Sequence, residues 1–225
     1  MFTEGYAASG GDSQLRRDVA EEATRLITVL LRTSLTPKQH IGELYALLAL
    51  MLFQFSRFDA RTTEIGIPIR LQEQDRTKWD QPMIQAGMAA LAASRVSQSP
   101  SVFHLEARIA AEHATSTSFT ETNWQTILAL YDQLLLLKNT PEVRVNRVVA
   151  IRYAVGWETA LSELNALESE EKRFHKGSVA RSFLLHAIRA DLLESAGQPE
   201  AASDEWKKRA KKLLLPQTVH LLKRD

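Results

Sequence analysis

Apolar residues recur every three or four positions along most of this sequence, which is the period of helices that bury one face. The first such segment follows a glycine-bearing entry (Gly5, Gly10, Gly11). It opens at Asp12 or Ser13 and runs to about Arg32, with Leu15, Val19, Ala23, Leu26 and Leu30 as its apolar set. Thr36-Pro37 reads as an N-cap followed by proline at the first helical position. The helix it opens carries Leu44, Leu47, Leu48, Met51, Leu52 and Phe55, a stripe broad enough to need cover on more than one side.

Between Arg61 and Leu71 the period changes. Ile65, Ile67, Ile69 and Leu71 alternate with Gly66, Pro68 and Arg70, as in a strand, but Pro68 restricts the segment to an edge or a merely extended arm. It leads into LQEQDRTKWDQPMI (Leu71 to Ile84), where Glu73, Asp75, Arg76, Lys78 and Asp80 crowd around Trp79. The helix that follows has two candidate starts: Thr77 with Asp80 as a variant capping box, or Asp80 itself as the cap with Pro82 in the first turn. Met83, Gly87, Ala90 and Leu91 share one face, and its many alanines let a neighbour come close.

Further starts are marked at Ser99-Pro100, for a helix through His113; at the capping box Thr122-Asn-Trp-Gln125; and at Thr140-Pro141, for a helix ending before Gly156. The box opens a helix with Ile127, Leu130, Tyr131 and Leu134 on one face. Two more helices are expected on either side of a charged link, Glu168 to Lys172, then one from Gln198-Pro199 and a short one after Pro216. Roughly ten helices with short connections, packed as antiparallel neighbours, make the fold all-α. We expect one all-helical domain over 1–225, with an N-terminal half (1–95) that carries the arm near 61–71, and a second half (96–225).

That second half contains an internal echo. Gly156-Trp-Glu-Thr-Ala160 and Gly197-Gln-Pro-Glu-Ala201 share the pattern G-x-x-[TE]-A, 41 residues apart. It resembles the turn inside a tetratricopeptide (TPR) unit, where Gly ends one helix and Ala lets the next pack closely. Phe183, Ala187, Ala190 and Leu193 would form the first helix's face and Trp206 the large aromatic of the second. The spacing exceeds the roughly 34 residues of a standard unit, so TPR-like pairs are expected and a regular array is not.

Composition narrows the function. With 225 residues, 44% hydrophobic and 24% charged, the chain can build a sizeable core. A net charge of +1 gives no electrostatic reason for nucleic-acid binding. The absence of Cys excludes disulfides, thiolate catalysis and Cys-ligated metals, and suits a cytoplasmic location. The start lacks the pattern of a signal peptide, and the longest apolar run, ten residues from Leu44 to Phe53, is short for a membrane span, so no membrane is expected as a partner.

Candidate chemistry is sparse. Six His residues are scattered, and neither a metal-ligand motif, a nucleophile elbow nor a phosphate loop occurs, so no catalysis, cofactor or metal is expected. His186 lies among apolar neighbours and reads as a satisfied boundary histidine. The basic run from Lys207 to Lys212 reads as a solvated helix face. Asn146 with Arg147, and Arg189 with Asp191, are polar pairs inside apolar helices. Each is either internally paired or set on a groove, since unpaired burial is costly. In the QDRTKWD stretch, Trp79 is expected as a packed anchor, Asp75 and Asp80 as caps, and Arg76 as their charged partner. Gln74, Trp124 and Tyr131 complete the candidate network.

QDRTKWD, the NW…ILALYDQLL segment, PEVRVNRVVAI and LLHAIRADLL occur in an order that resembles a known module. It is the C-terminal extension of a subfamily of extracytoplasmic-function RNA polymerase sigma factors, described as sigma factors with a TPR repeat domain. The opening FTEGYAASGGD is also similar to the start of that extension, and the resemblance runs from Phe2 to about Leu215. FQFSRFDAR and LEARIAAEHA depart from the pattern: the first stands where the family has a His-Asp-Ala-Arg-Arg-like run, and the second lacks a family Gln and Cys. The resemblance implies a piece of a longer protein whose sigma domains lie before Met1. It implies a regulatory role, contacts with the sigma domains in cis and with core RNA polymerase, a small YCII-related signalling protein as partner, and no direct DNA binding. Two other readings stand beside it: a free-standing TPR-like adaptor for a peptide or protein, and a small-molecule sensor or enzyme with Asp75, Arg76 and Asp80 around a pocket beside Trp79. The last requires strongly shifted acids.

Overall fold

The structure, a computed structural model, describes residues 13–33, 36–63, 69–174 and 179–208, with side chains for all of these but 13–16, 171–174 and 179–184. Among the described residues the fold is all-α, without a strand. The expected arm falls partly on 64–68 and the helix after Pro216 falls on 209–225; both lie outside the described residues, as does the basic run beyond Lys208. The chain divides into two compact units, Met1–Asn123 and Trp124–Asp225.

The first unit holds α1 (Ser13–Arg32), α2 (Lys38–Phe55), α3 (Gln81–Ala93) and α4 (Val102–Thr115). Short 3-10 turns lie at Phe58–Ala60, Leu71–Glu73, Arg76–Lys78 and Ser94–Val96. α2 is central: α3, α4 and α1 all pack on it, as its broad stripe requires. From Lys38 to Ala60 the chain is long and apolar enough to cross a membrane by length and composition, a wider span than the ten-residue run suggests. Here its small and aromatic residues are enclosed by protein: Ala49 and Phe53 share a core with Ile84 and Ala90 of α3 and with Ala107, Ala110, Ala111 and Ala114 of α4. α4 therefore belongs with the N-terminal helices, and the division of the chain falls after Asn123 where the sequence suggested residue 95.

Several local expectations shift by a residue or a partner. α1 buries Ala20, Ala23 and Ile27, while Leu26, Val29 and Leu30 are exposed. Ala23 and Ile27 pack with Met51 of α2, with Leu31 beside them, and Leu26, Val29 and Leu30 are rotated outward. Thr36 does not cap α2; its hydroxyl donates to the Leu30 carbonyl at 2.9 Å and finishes α1. α4 is capped by Ser101, two residues beyond Ser99: the Ser101 amide donates to His104 Nδ1 at 3.1 Å. His104 Nε2 then meets the Ser94 carbonyl at 3.1 Å, so the Nε2–H tautomer satisfies this buried ring.

The second unit holds α5 (Trp124–Leu137), α6 (Pro141–Ala154), α7 (Trp157–Phe174), α8 (Val179–Ser195) and α9 (199–208). Val145, Val148 and Ile151 of α6, Ala160 and Leu164 of α7, and Leu185, Ile188 and Leu192 of α8 form its core. On α8 the buried residues are Leu185, Ile188, Leu192 and, from the expected set, Ala190, with Ala187 and Leu193 half-buried beside them; the Phe183 side chain lies outside the described residues. Ile127, Leu130 and Leu134 of α5 are buried as expected, and Thr140 caps α6. The capping box at Thr122 is replaced by other bonds. The Thr122 hydroxyl donates to the Ser118 carbonyl at 3.3 Å, and Gln125 Nε2 donates to the Ala154 carbonyl at 2.6 Å. Glu168 to Lys172 is no link but part of α7, because a run of charged residues with good helix propensity lets the helix continue.

Both echo glycines end a helix with positive φ, +147° at Gly156 and +71° at Gly197. Beyond them the register differs. Ala160 is buried after the first, but Ala202, not Ala201, is buried after the second. There the Gln198 amide closes on the Leu193 carbonyl at 2.9 Å, and α9 starts one residue later relative to its glycine than α7 does.

Candidate functional site

The segment before α3 is built from short-range caps. Ile69 donates to the Arg61 carbonyl at 2.7 Å, and Gln74 Nε2 donates back to the Ile69 carbonyl at 3.1 Å. Asp75 accepts from the Thr77 amide at 3.0 Å and hydroxyl at 2.6 Å, capping the Arg76–Lys78 turn. Those bonds hold its carboxyl below the usual range. The turn drives Trp79 into the core, where it is 3% exposed. Asp80 then works in two directions: its amide donates to the Ser56 carbonyl at 2.8 Å, and its carboxylate accepts from the Met83 amide at 2.9 Å. Of the two candidate helix starts, Asp80 is the cap, with Pro82 in the first turn.

Arg76 is not the partner of either acid. Its Nη1 donates to the His113 and Ser116 carbonyls, both at 2.7 Å, at the C-terminal end of α4. Unsatisfied carbonyls and the negative pole of the helix converge there, so a guanidinium is well suited to the position. Its planar group also lies 4.4 Å from the centre of the Trp79 ring. Arg57, whose Nη2 donates to Gln54 at 2.7 Å, lies 5.6 Å from the same ring. Burial, then the charges of Arg57 and Arg76, push His113 down to about 3, so the imidazole is neutral at physiological pH. The acids of this stretch act as caps, and the acid-lined pocket required by the sensor reading is not formed by them. What is gathered is positive charge on an indole.

The candidates of the second unit are distributed over its helices. Arg147 bridges three of them, to Asp132 of α5 at 2.7 Å and Glu163 of α7 at 2.9 Å, while its neighbour Asn146 is exposed. Arg189 pairs with Glu168 at 3.0 Å, and Asp191 pairs with Arg152 of α6. His186 Nδ1 meets Glu205 of α9 at 2.5 Å. Burial of Glu205 would raise its carboxyl; hydrogen bonds from Lys208 and His186 outweigh this and lower it. Trp124 stacks on Tyr153 with ring centres 4.5 Å apart, and Tyr131 is half-buried on α5. These polar groups therefore hold helices together; only Asn146 stands clear of them. No group of three or more metal-ligating side chains occurs among the described residues.

Sequence reasoning missed Arg57, His113 and Arg152. Arg57 and His113 lie at helix ends, in the two segments that depart from the family pattern, and only the fold carries them to Trp79. Arg152 follows Arg147 by five positions on α6, which turns it about 140° away, so no shared face marked it.

The arrangement describes an all-helical protein with a charge-bearing junction anchored on Trp79. Residues 1–95 match the Family of unknown function (DUF6596), and that match takes in α1 to α3 and the whole QDRTKWD stretch. The chain is also similar to an uncharacterized protein of Rhizobium meliloti (strain 1021), 34% identical over 198 residues, which cover 88% of this chain and 44% of that protein. The chain thus spans less than half the length of that relative. No solved structure matches it.

Proposed function

We propose that this chain is the regulatory, protein-interacting part of an extracytoplasmic-function sigma factor, and that it catalyses no reaction itself. The observation that carries this reading is the order of QDRTKWD, NW…ILALYDQLL, PEVRVNRVVAI and LLHAIRADLL along the chain, which resembles the C-terminal extension of such factors; residues 1–95, which hold the first of these segments, match a family of unknown function. The length of the Rhizobium relative leaves room for further domains beside the matched part. A physical feature supports the interaction role. Gln72, Glu73, Asp75, Thr77 and Lys78 are exposed, while Trp79 and Arg76 pin the same loop to α4. A polar surface held in one conformation binds with less loss of chain entropy than a mobile one.

In this reading the loop contacts the sigma domains in cis, core RNA polymerase or a small YCII-related protein, in the cytoplasm and without touching DNA. Two measurements test it. The reading frame of the gene is expected to continue upstream of Met1 into sigma domains. Transcription by the full-length protein should change when residues 1–225 are removed, and when Lys78→Glu alters the exposed loop without loss of helicity. A frame that lacks those domains, or transcription indifferent to both changes, sinks the proposal. The TPR-like turns at Gly156 and Gly197 favour a second reading, a peptide- or protein-binding adaptor. It is distinguished by capture of a partner unrelated to polymerase that Asn146→Arg abolishes.

A further inference from the structure

The junction contains two buried donors that meet no acceptor among the described residues, Arg76 Nη2 and Trp79 Nε1. Gln74 Oε1 is likewise a buried acceptor without a donor. Neighbouring bonds in the same segment are all made: Gln74 Nε2, Arg76 Nη1, Asp75 and Asp80 each have a partner within 3.1 Å. A buried polar group left unmade is rare in a native protein and calls for something that satisfies it.

The electrostatics point the same way. Burial is the first cause that lowers Arg76 and His113; the positive charge of Arg57 lowers both further, and that of Arg76 adds to it at His113. Arg76 has backbone carbonyls and an indole face as neighbours, which hold a guanidinium without neutralising it. A neutral water could occupy the donors but would leave that charge as it is. An anion with two oxygens would both accept from the donors and offset the charge.

We propose that the Arg76–Trp79 junction, with Arg57 adding positive charge, binds a carboxylate group that accepts from Arg76 Nη2 and Trp79 Nε1. The carboxylate comes either from a small free acid or from an acidic side chain of a partner protein. This goes beyond the regulatory reading and does not depend on it: the site is tested on the isolated chain with no polymerase present. Bound there, the ligand would tighten the hold of the loop on the end of α4, and so couple its own concentration to the exposed surface of residues 72–78.

Trp79 supplies a direct reporter, because its indole N–H gives its own proton resonance. The four tryptophans of the chain give four such signals, and Trp79→Phe identifies the relevant one. The chain is titrated with potassium formate, and separately with end-blocked glutamate, at constant ionic strength in chloride. A saturable shift of the Trp79 signal is expected, with half-saturation at roughly millimolar formate, the limit that three heavy atoms allow. Arg76→Gln should weaken it at least about tenfold, and Arg57→Gln should weaken it less while leaving both donors in place. Saturation by formate but not by blocked glutamate identifies a small-acid site, and saturation by blocked glutamate identifies a site for a partner's side chain. If neither titration saturates, or if Arg57→Gln with intact helicity binds as tightly as the parent and Arg76→Gln does too, the proposal is overturned and a bound water is the better account.

Discussion

Gly87 faces Phe53 so closely that a Cβ built on it would lie 2.8 Å from the ring, and that ring is 1% exposed with little room to move. Gly87→Ala should therefore destabilise the first unit by about 1–3 kcal/mol, as overpacking of a closed core does. Chemical denaturation measures it, and combining the change with Phe53→Leu should recover part of the loss, since the two residues share one contact. His113 gives a second residue-level test. Burial and the charges of Arg57 and Arg76 push it down to about 3, against an ordinary value near 6.5. Below about 6.5 the unfolded chain takes up a proton that the folded one refuses. Stability is thus present above that pH and is lost as pH falls toward 3, at up to about 1.4 kcal/mol per pH unit. His113→Gln should flatten that part of the denaturation profile between pH 7 and 5. An equal slope in parent and variant would contradict the assignment.

Among the elements, the caps were the most legible feature, because their chemistry is local. Asp80 before Gln-Pro was readable as a helix start, and the structure assigns it that role. Asp80→Ala should cost about 1 kcal/mol and Asp80→Asn distinctly less, because Asn keeps the acceptor. Gly197 at φ +71° sits where a side chain is strained, so Gly197→Ala should cost about 1 kcal/mol in the same assay. Faces were less legible than caps. On α1 the expected face kept Ala23 but lost Leu26 and Leu30 to solvent, because Ile27 and not those leucines packs with Ala23 against Met51. Capping also failed where a side chain had a competing partner: Thr36 turned back to Leu30, and Gln125 reached across to the end of α6. A pattern of residue types cannot rank such competitors, since the winning acceptor is a backbone carbonyl at the end of another helix.

At the largest scale, each compact unit has a core of its own among the described residues, around Phe53 and Trp79 in the first and around Val148 and Leu164 in the second. Destabilising one should leave the other largely protected: in Gly87→Ala, amide exchange should accelerate in α2 to α4 while α6 to α8 keep the parent rates. Uniform acceleration would show a single cooperative unit. The sequence by itself determined the helical class, most of the helix starts, both glycine turns, and Trp79 as a buried anchor flanked by capping acids, since each follows from periodicity or from bonds a few residues long. Only the tertiary structure decided where the chain divides, which face of α1 is inside, and what Arg76 does. Its charge suggested a neighbouring acid. The fold offers instead the open carbonyls at the end of α4, some forty residues away, and brings Arg57 and His113 to the same indole.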